Sequence, residues 1–231
     1  MKRKGSGKMR KTTIASLLAL PIAYSVGATL FERLYNPRII RNIPTHNTIY
    51  LTFDDGPHPV YTPALLDLLK KYDATATFFV VGELAEKYPH ILQRMVKEGH
   101  TIGIHHYTHT SSWQLTPYQL QRQIEKTAQV IEQATTIVPI LYRPPWGHFN
   151  LATRQIAKKY DVILWSHIFK DWKLHDNHLA QLHEPIEDGA ILLLHDNGDT
   201  KGADQQAPES MLLQLKRFLT STTQKCRAIP V

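Results

Sequence analysis

The sequence predicts an α/β domain of parallel β/α units, either a barrel or an open parallel sheet, on three observations. From Thr48 onward, short apolar or β-branched runs alternate with longer segments of helical periodicity. Polar clusters follow these runs: Asp54-Asp55, His105 with His109, Arg143-Pro144-Pro145-Trp146-Gly147, Asp171-Trp172 and His195-Asp196. In β/α barrels the chemistry sits at such strand ends, so all five clusters are expected on one rim. Finally, 231 residues suit one domain with a sizeable core and at most two small ones.

In chain order, Thr48 to Phe53 reads as the first strand, broken by Gly56-Pro57. Leu65, Leu66, Leu68, Leu69 and Tyr72 suit a helix with Pro63 near its first turn. Ala76 to Val81 is a strand, and the stripe from Leu84 to Val96 a helix stopped at Gly99. Thr101 to Ile104 runs into the histidines, and Thr116-Pro117-Tyr118-Gln119 has the form of a capping box opening a helix through Ile131. Ile140 to Tyr142 and Val162 to Trp165 are strands flanking a helix over Leu151 to Tyr160. A buried strand, Ala190 to Leu194, and a helix containing Met211, Leu215 and Phe218 complete the domain. The loops 173–185 and 197–208 are expected to shape a substrate groove, with His175, His178 and His183 on the surface.

Charge divides the chain. Six of its 27 basic residues lie in the first eleven positions, leaving 21 against 20 acidic ones, so the body is nearly neutral and no nucleic-acid-binding stripe is present. The basic segment 1–11 precedes a run of 20 uncharged residues, Thr12 to Phe31. A helix of that length spans a bilayer, and basic residues before it predict the N-terminus inside and the rest exported. Ser25, Gly27 and Ala28 also fit a cleaved signal peptide, so the domain is expected outside the cytoplasm, either anchored or secreted. Residues 32–47 read as a polar linker and 48–231 as the folded domain, expected to be monomeric. Cys226 is the single cysteine, so no internal disulfide forms.

An Asp-Asp-Gly-Pro stretch by itself also fits an ordinary turn. Successive strand residues face opposite ways, so Asp54 and Asp55 reach one site only if the chain bends between them. His105 and His109, at i and i+4, match a common metal-ligand spacing, although a chain with 13 histidines supplies such pairs by chance. With Asp55 they make a two-nitrogen, one-oxygen set suited to zinc, or to another divalent ion such as Co2+, Ni2+ or Mn2+. Such an ion lowers the pKa of a water toward ~7 and polarises a carbonyl. Asp54 is then the candidate base, held ionised by Arg143, while a backbone N–H at Trp146 suits an oxyanion. His195, positioned by an acid such as Asp171, is the candidate general acid.

The ordered set TFDDGP, HHYTH, RPPWG, KDW and LLH resembles the polysaccharide deacetylases of carbohydrate esterase family 4, from Thr48 to the C-terminus. The resemblance implies a distorted (β/α)7-type barrel and metal-dependent removal of N-acetyl groups from amino sugars of a glycan. By position it implies Asp54 as base, Asp55, His105 and His109 as metal ligands, and Arg143 as the residue orienting the base. Trp146 falls at the oxyanion-donor position, Asp171 and His195 are the acid-tuning pair, and Trp172 and Leu193 line the acetyl pocket. Two positions depart: Ile168 stands where an aspartate is usual, and Thr110 where a proline is frequent. Ile168 leaves open a catalytically silent glycan-binding protein, and an O-acetyl ester is a third reading. The complete base, ligand and acid set favours an active N-deacetylase acting on peptidoglycan or poly-N-acetylglucosamine.

Overall fold

The computed structural model describes residues 21–231. Eight parallel strands form one curled sheet: β1 (Thr48–Asp54), β2 (Thr77–Val80), β3 (Thr101–Ile104), β4 (Leu141–Tyr142), β5 (Asp161–Val162), β6 (His167–Ile168), β7 (Ile191–His195) and β8 (Lys225–Arg227). Their spatial order is β5-β4-β3-β2-β1-β7-β6, and β8 pairs with Thr48–Tyr50 at the start of β1, the half that β2 leaves free. This is the curled parallel arrangement expected, with seven strands on the main path. The apolar runs picked out in the sequence do not include β6, only two residues long, or β8, whose Lys225-Cys226-Arg227 has no apolar run to signal it.

Seven α-helices are described: α1 (Ala28–Tyr35), α2 (Tyr61–Lys71), α3 (Gly82–Lys87), α4 (Pro89–Lys97), α5 (Pro117–Thr135), α6 (Thr153–Ile156) and α7 (Ala207–Ser221). The stripe Leu84 to Val96 is two helices, because Pro89 starts a new one after Tyr88. The capping box at Thr116 and Gln119 forms with both of its hydrogen bonds. The segment Leu151 to Tyr160 holds only the one-turn α6 and a 3-10 turn, Ala157–Lys159.

Strand alternation sorts side chains into two layers. Ile49, Leu51 and Phe53 of β1, Phe78 and Val80 of β2, and Leu192 and Leu194 of β7 pack outward in the main core with Leu66 and Leu69 of α2 and Met211 and Leu215 of α7. The opposite parity, Tyr50, Phe79, Leu141, Ile163 and Ile191, fills the concave interior. Continued to the strand ends, that inward parity carries Asp54, His105, Arg143 and His195 to the rim. Gly103 is required here, since a Cβ would stand 2.6 Å from the Phe79 ring.

Residues 32–47 are not a free linker. Ile39 is buried with Phe149 and Leu164, Ile40 pairs in parallel with Ile163, and Asn42 bridges to Ala190. The segment runs between β5 and β7, whose facing apolar groups need a cover, and Ile40 and Ile43 supply it. Of the run 12–31, residues 12–20 lie outside the described residues. The remainder forms a π-helical turn (Ala23–Gly27) and the start of α1, where Ala28 and Thr29 are buried against the domain. Among the described residues no helix is long and apolar enough to cross a membrane. Replacing Ile39 by Ala is expected to cost about 2–5 kcal/mol in urea unfolding, as for a core isoleucine. A solvated linker residue would give less than about 0.5 kcal/mol.

Candidate active site

Asp54 ends β1 and is 3 % exposed. Its register partner on β7 is His195, while Ile104, just before His105, pairs with Tyr142, just before Arg143. Two in-register neighbours therefore bring four functional side chains to one end of the sheet. Asp55 has the wrong strand parity, and its backbone corrects this by turning left-handed at φ 77°. His109 (φ 47°) and Trp146 (φ 56°) are turned inward by the same device. Gly56 follows where a Cβ would run into the Asp196 carboxylate, so the turn admits no larger residue.

Arg143 is fully buried. Its Nη1 donates to Asp54 Oδ1 at 2.6 Å and Thr52 Oγ1 at 2.8 Å, Nε to the Ile163 carbonyl and Nη2 to the Leu164 carbonyl. Phe79 lies 4.1 Å beneath the guanidinium. Oδ1 of Asp54 is thereby committed, and Oδ2 faces His105 Nε2 at 3.8 Å.

Asp55, His105 and His109 each present one donor atom, all within 4.8 Å of one another. Asp55 Oδ1 lies 3.4 Å from His105 Nε2 and 3.0 Å from His109 Nε2, yet it is buried without a hydrogen-bond partner among the described residues. His105 Nδ1 donates to the Arg143 carbonyl at 2.7 Å, which leaves the Nε2 lone pair pointing at the same point. Burial works against the Asp55 charge, but the nearness of His109 and His105 holds its pKa well below the usual carboxylate range. An orphaned ionised oxygen facing two imidazole nitrogens fits a divalent cation.

His195 Nδ1 donates to Asp171 Oδ1 at 2.9 Å, and its backbone N–H donates to Oδ2 at 2.6 Å. Burial lowers the pKa of His195, but the Asp171 charge and hydrogen bond, with Asp55 and Asp54 nearby, push it up to about 9. Trp172 meets the imidazole edge-on at 5.0 Å, and Trp146 packs its ring 4.3 Å from that of His109. A cavity of 520 Å³ takes in Asp54, Asp55, both histidines, Trp146 and His195, with Trp172, Leu193 and Ile168 in its wall. Of the residues read as catalytic, ligating or pocket-forming, all line this cavity except Arg143 and Asp171, which stand behind Asp54 and His195 respectively. Loop 197–208 contributes Thr200, Lys201 and Gly202 as expected; 173–185 does not line the cavity. His175, His178 and His183 are exposed.

Several contributors were not legible in the sequence. Thr200 Oγ1 donates to Asp55 Oδ2 at 2.8 Å and Asn197 Nδ2 to the Asp55 carbonyl at 3.0 Å. Neither carries a spacing signal, because each is supplied by a loop on the far side of β7. His106 is buried, and burial pulls its pKa down to about 3. Its neutral ring donates from Nδ1 to the Thr110 carbonyl and accepts from Tyr142 at Nε2. The backbone of Thr110 thus braces the histidine loop.

The chain belongs to the polysaccharide deacetylase family, whose model matches residues 41–165. It is 39 % identical over 155 residues to the peptidoglycan-N-acetylmuramic acid deacetylase PdaC of Bacillus subtilis, covering 66 % of this chain and 33 % of that one. It is 36 % identical over 185 residues to a peptidoglycan-N-acetylglucosamine deacetylase of Bacillus cereus, covering 74 % and 85 %. The crystal structure of the Bc1960 peptidoglycan N-acetylglucosamine deacetylase superposes with a TM-score of 0.74 at 28 % identity, covering 87 % of this chain and 94 % of that one. The chain spans about a third of PdaC, so the match is to one part of a longer protein.

Two outcomes test this geometry. Thr200→Val is expected to weaken Zn2+ binding about 10–100-fold in a chelator-competition titration, as loss of a ligand's hydrogen-bond partner does elsewhere. Asp196, fully enclosed beside Thr62, has its pKa pushed by burial from 3.8 to about 7. Its folded value lies above its unfolded one, so its contribution to stability is present below about pH 4 and is lost as pH rises through 7. Asp196→Asn is therefore expected to gain stability relative to wild type between pH 5 and pH 8.5, read from urea midpoints.

Proposed function

We propose that this protein is a metal-dependent N-deacetylase of a cell-envelope glycan, hydrolysing the acetamide of an amino sugar to a free amine and acetate. The observation that carries it is the arrangement of two proton-handling groups around the three-donor cluster. Asp54 Oδ2 lies 3.8 Å from His105 Nε2 on one side, and His195 lies in the same cavity, backed by Asp171. Pure binding needs neither group.

Zinc is the ion the two-nitrogen, one-oxygen set suits first; held by Asp55, His105 and His109, it would polarise the acetamide carbonyl and acidify a water. Asp54 takes the proton of the attacking water on Oδ2, because Oδ1 is held by Arg143. The backbone N–H of Trp146 donates to the oxygen that gains charge. His195 holds its proton on Nε2 while Nδ1 bonds Asp171, and it delivers that proton to the departing nitrogen. A pKa lifted to about 9 keeps the imidazole charged near neutral pH, as an acid for an amine leaving group requires. The acetyl methyl is housed by Trp172 and Leu193.

The matched relatives, named for peptidoglycan, support peptidoglycan as the glycan. The basic start and the uncharged run 12–31 support a domain held or released outside the cytoplasm. Metal-stripped protein reloaded with Zn2+ is expected to release acetate from peptidoglycan strands or N-acetylated chitooligosaccharides, and Asp54→Asn to lose at least about 100-fold of that rate. Release that is independent of metal, or unchanged in Asp54→Asn, would remove this reading.

A further inference from the structure

The acids of the site cavity are all committed. Asp54 is paired with Arg143, and Asp55 faces the two histidines and Thr200. Asp171, behind the wall, is taken by His195. The cations of the wall are not. Arg33 and Lys201 both line the cavity, and among the described residues neither has a carboxylate within the 4.0 Å of an ion pair.

Arg33 is the more telling of the two because it is fixed in place. It comes from α1, upstream of the residues that the family model matches. That helix is tied to the loop after β4: Thr29 Oγ1 donates to the Phe149 carbonyl and accepts from the Phe149 and Trp113 N–H groups. Arg33 Nη2 then donates to the Trp146 carbonyl at 2.9 Å and Nε to the Gly147 carbonyl at 3.1 Å, with the guanidinium 5.5 Å from the Trp165 ring centre. A Cβ on Gly147 would collide with this guanidinium. Neutral carbonyls satisfy donors but leave the charge uncompensated, and Nη1 has no hydrogen-bond partner among the described residues. Burial and the neighbouring Arg41 cation both disfavour that charge. Ile168 lines the same wall, and its aliphatic side chain supplies no counter-charge.

We propose that Arg33 is a specificity-determining residue that recognises a carboxylate on the glycan, close to the acetamido group being hydrolysed. An ether-linked lactyl group or an adjoining uronic acid has that chemistry. A planar guanidinium held by two of its nitrogens offers a rigid donor for a carboxylate, and Lys201 adds charge without fixed geometry. This assignment rests on the deacetylase reading.

The test measures acetate release by the zinc-loaded full chain on four soluble substrates. These are neutral N-acetylated chitooligosaccharide, glycan fragments bearing free lactyl carboxylates, the same fragments after conversion to the methylamide, and an N-acetylated oligosaccharide containing glucuronate. Wild type is expected to favour a free acid over its neutral counterpart at least about tenfold in kcat/KM, mainly through KM, as befits one charged hydrogen bond. Whether the lactyl or the glucuronate arm carries the preference names the source. Arg33→Gln should bring that ratio close to one, whatever its absolute rate, and Arg33→Lys should restore part of it. A wild-type ratio near one, or a ratio that persists in Arg33→Gln, would overturn the proposal and leave Arg33 as a brace for the Trp146 loop. The wild-type ratio is informative even if Arg33→Gln fails to fold. Should no substrate release acetate, the deacetylase reading fails, and calorimetric binding of the free-acid and amidated fragments then decides the role of Arg33 separately.

Discussion

A fully buried guanidinium sits at the centre of this molecule, and much of the architecture can be understood as what Arg143 requires. An unpaired charge out of water is prohibitively costly, so every donor must be met. Asp54 supplies the counter-charge, Thr52 a hydroxyl, and Ile163 and Leu164 their carbonyls, with Phe79 beneath. Those groups come from β1, β2 and the bend after β5. The ion pair therefore couples chain segments far apart in sequence, and in doing so it leaves only one oxygen of Asp54 available for chemistry. After β5 the chain pairs with Ile40 instead of a neighbouring strand, and the carbonyls of Ile163 and Leu164 accept from Arg143.

Around that pair the site is assembled by strand parity and corrected by three left-handed residues. Asp54, His105, Arg143 and His195 arrive by parity alone. Asp55, His109 and Trp146 reach the same cavity only because each has positive φ, a conformation that costs a non-glycine residue about 1–3 kcal/mol and persists where neighbours over-determine it. The neighbours here are specific: Thr200 and Asn197 hold Asp55, and Arg33 holds the carbonyl of Trp146. Strain at these positions is thus tied to the convergence of donors that a divalent ion needs.

The N-terminal segment belongs to this assembly. Residues 39–43 cover the concave face between β5 and β7, and α1 reaches the wall of the cavity through Arg33. The result is a pocket whose floor is acidic with its charges paired and whose rim carries the cations of Arg33 and Lys201 without a carboxylate partner among the described residues.

The amino-acid order by itself determined the parallel β/α class, most strands and helices, the capping box at Thr116, and the five polar clusters at strand ends. It did so because period-2 and period-3.6 patterns, and residues such as Gly, Pro and Thr at their boundaries, act locally. Asp54, Asp55, His105, His109, Arg143 and His195 were legible for the same reason, each cluster following an apolar run, while Asp171 was legible through the Lys170-Asp171-Trp172 motif. What only the tertiary structure decided depends on contacts between segments remote in sequence. Residues 32–47 look polar and linker-like, yet Ile39, Ile40 and Ile43 are drawn in by a gap that exists only once β5 and β7 are in place. β8 is a strand because β1 offers it an unpaired edge, not because Lys225-Cys226-Arg227 favours one. Thr200, Asn197 and Arg33 join the site through folding alone, since a single hydroxyl, amide or guanidinium on a distant loop or helix leaves no periodic trace in the chain.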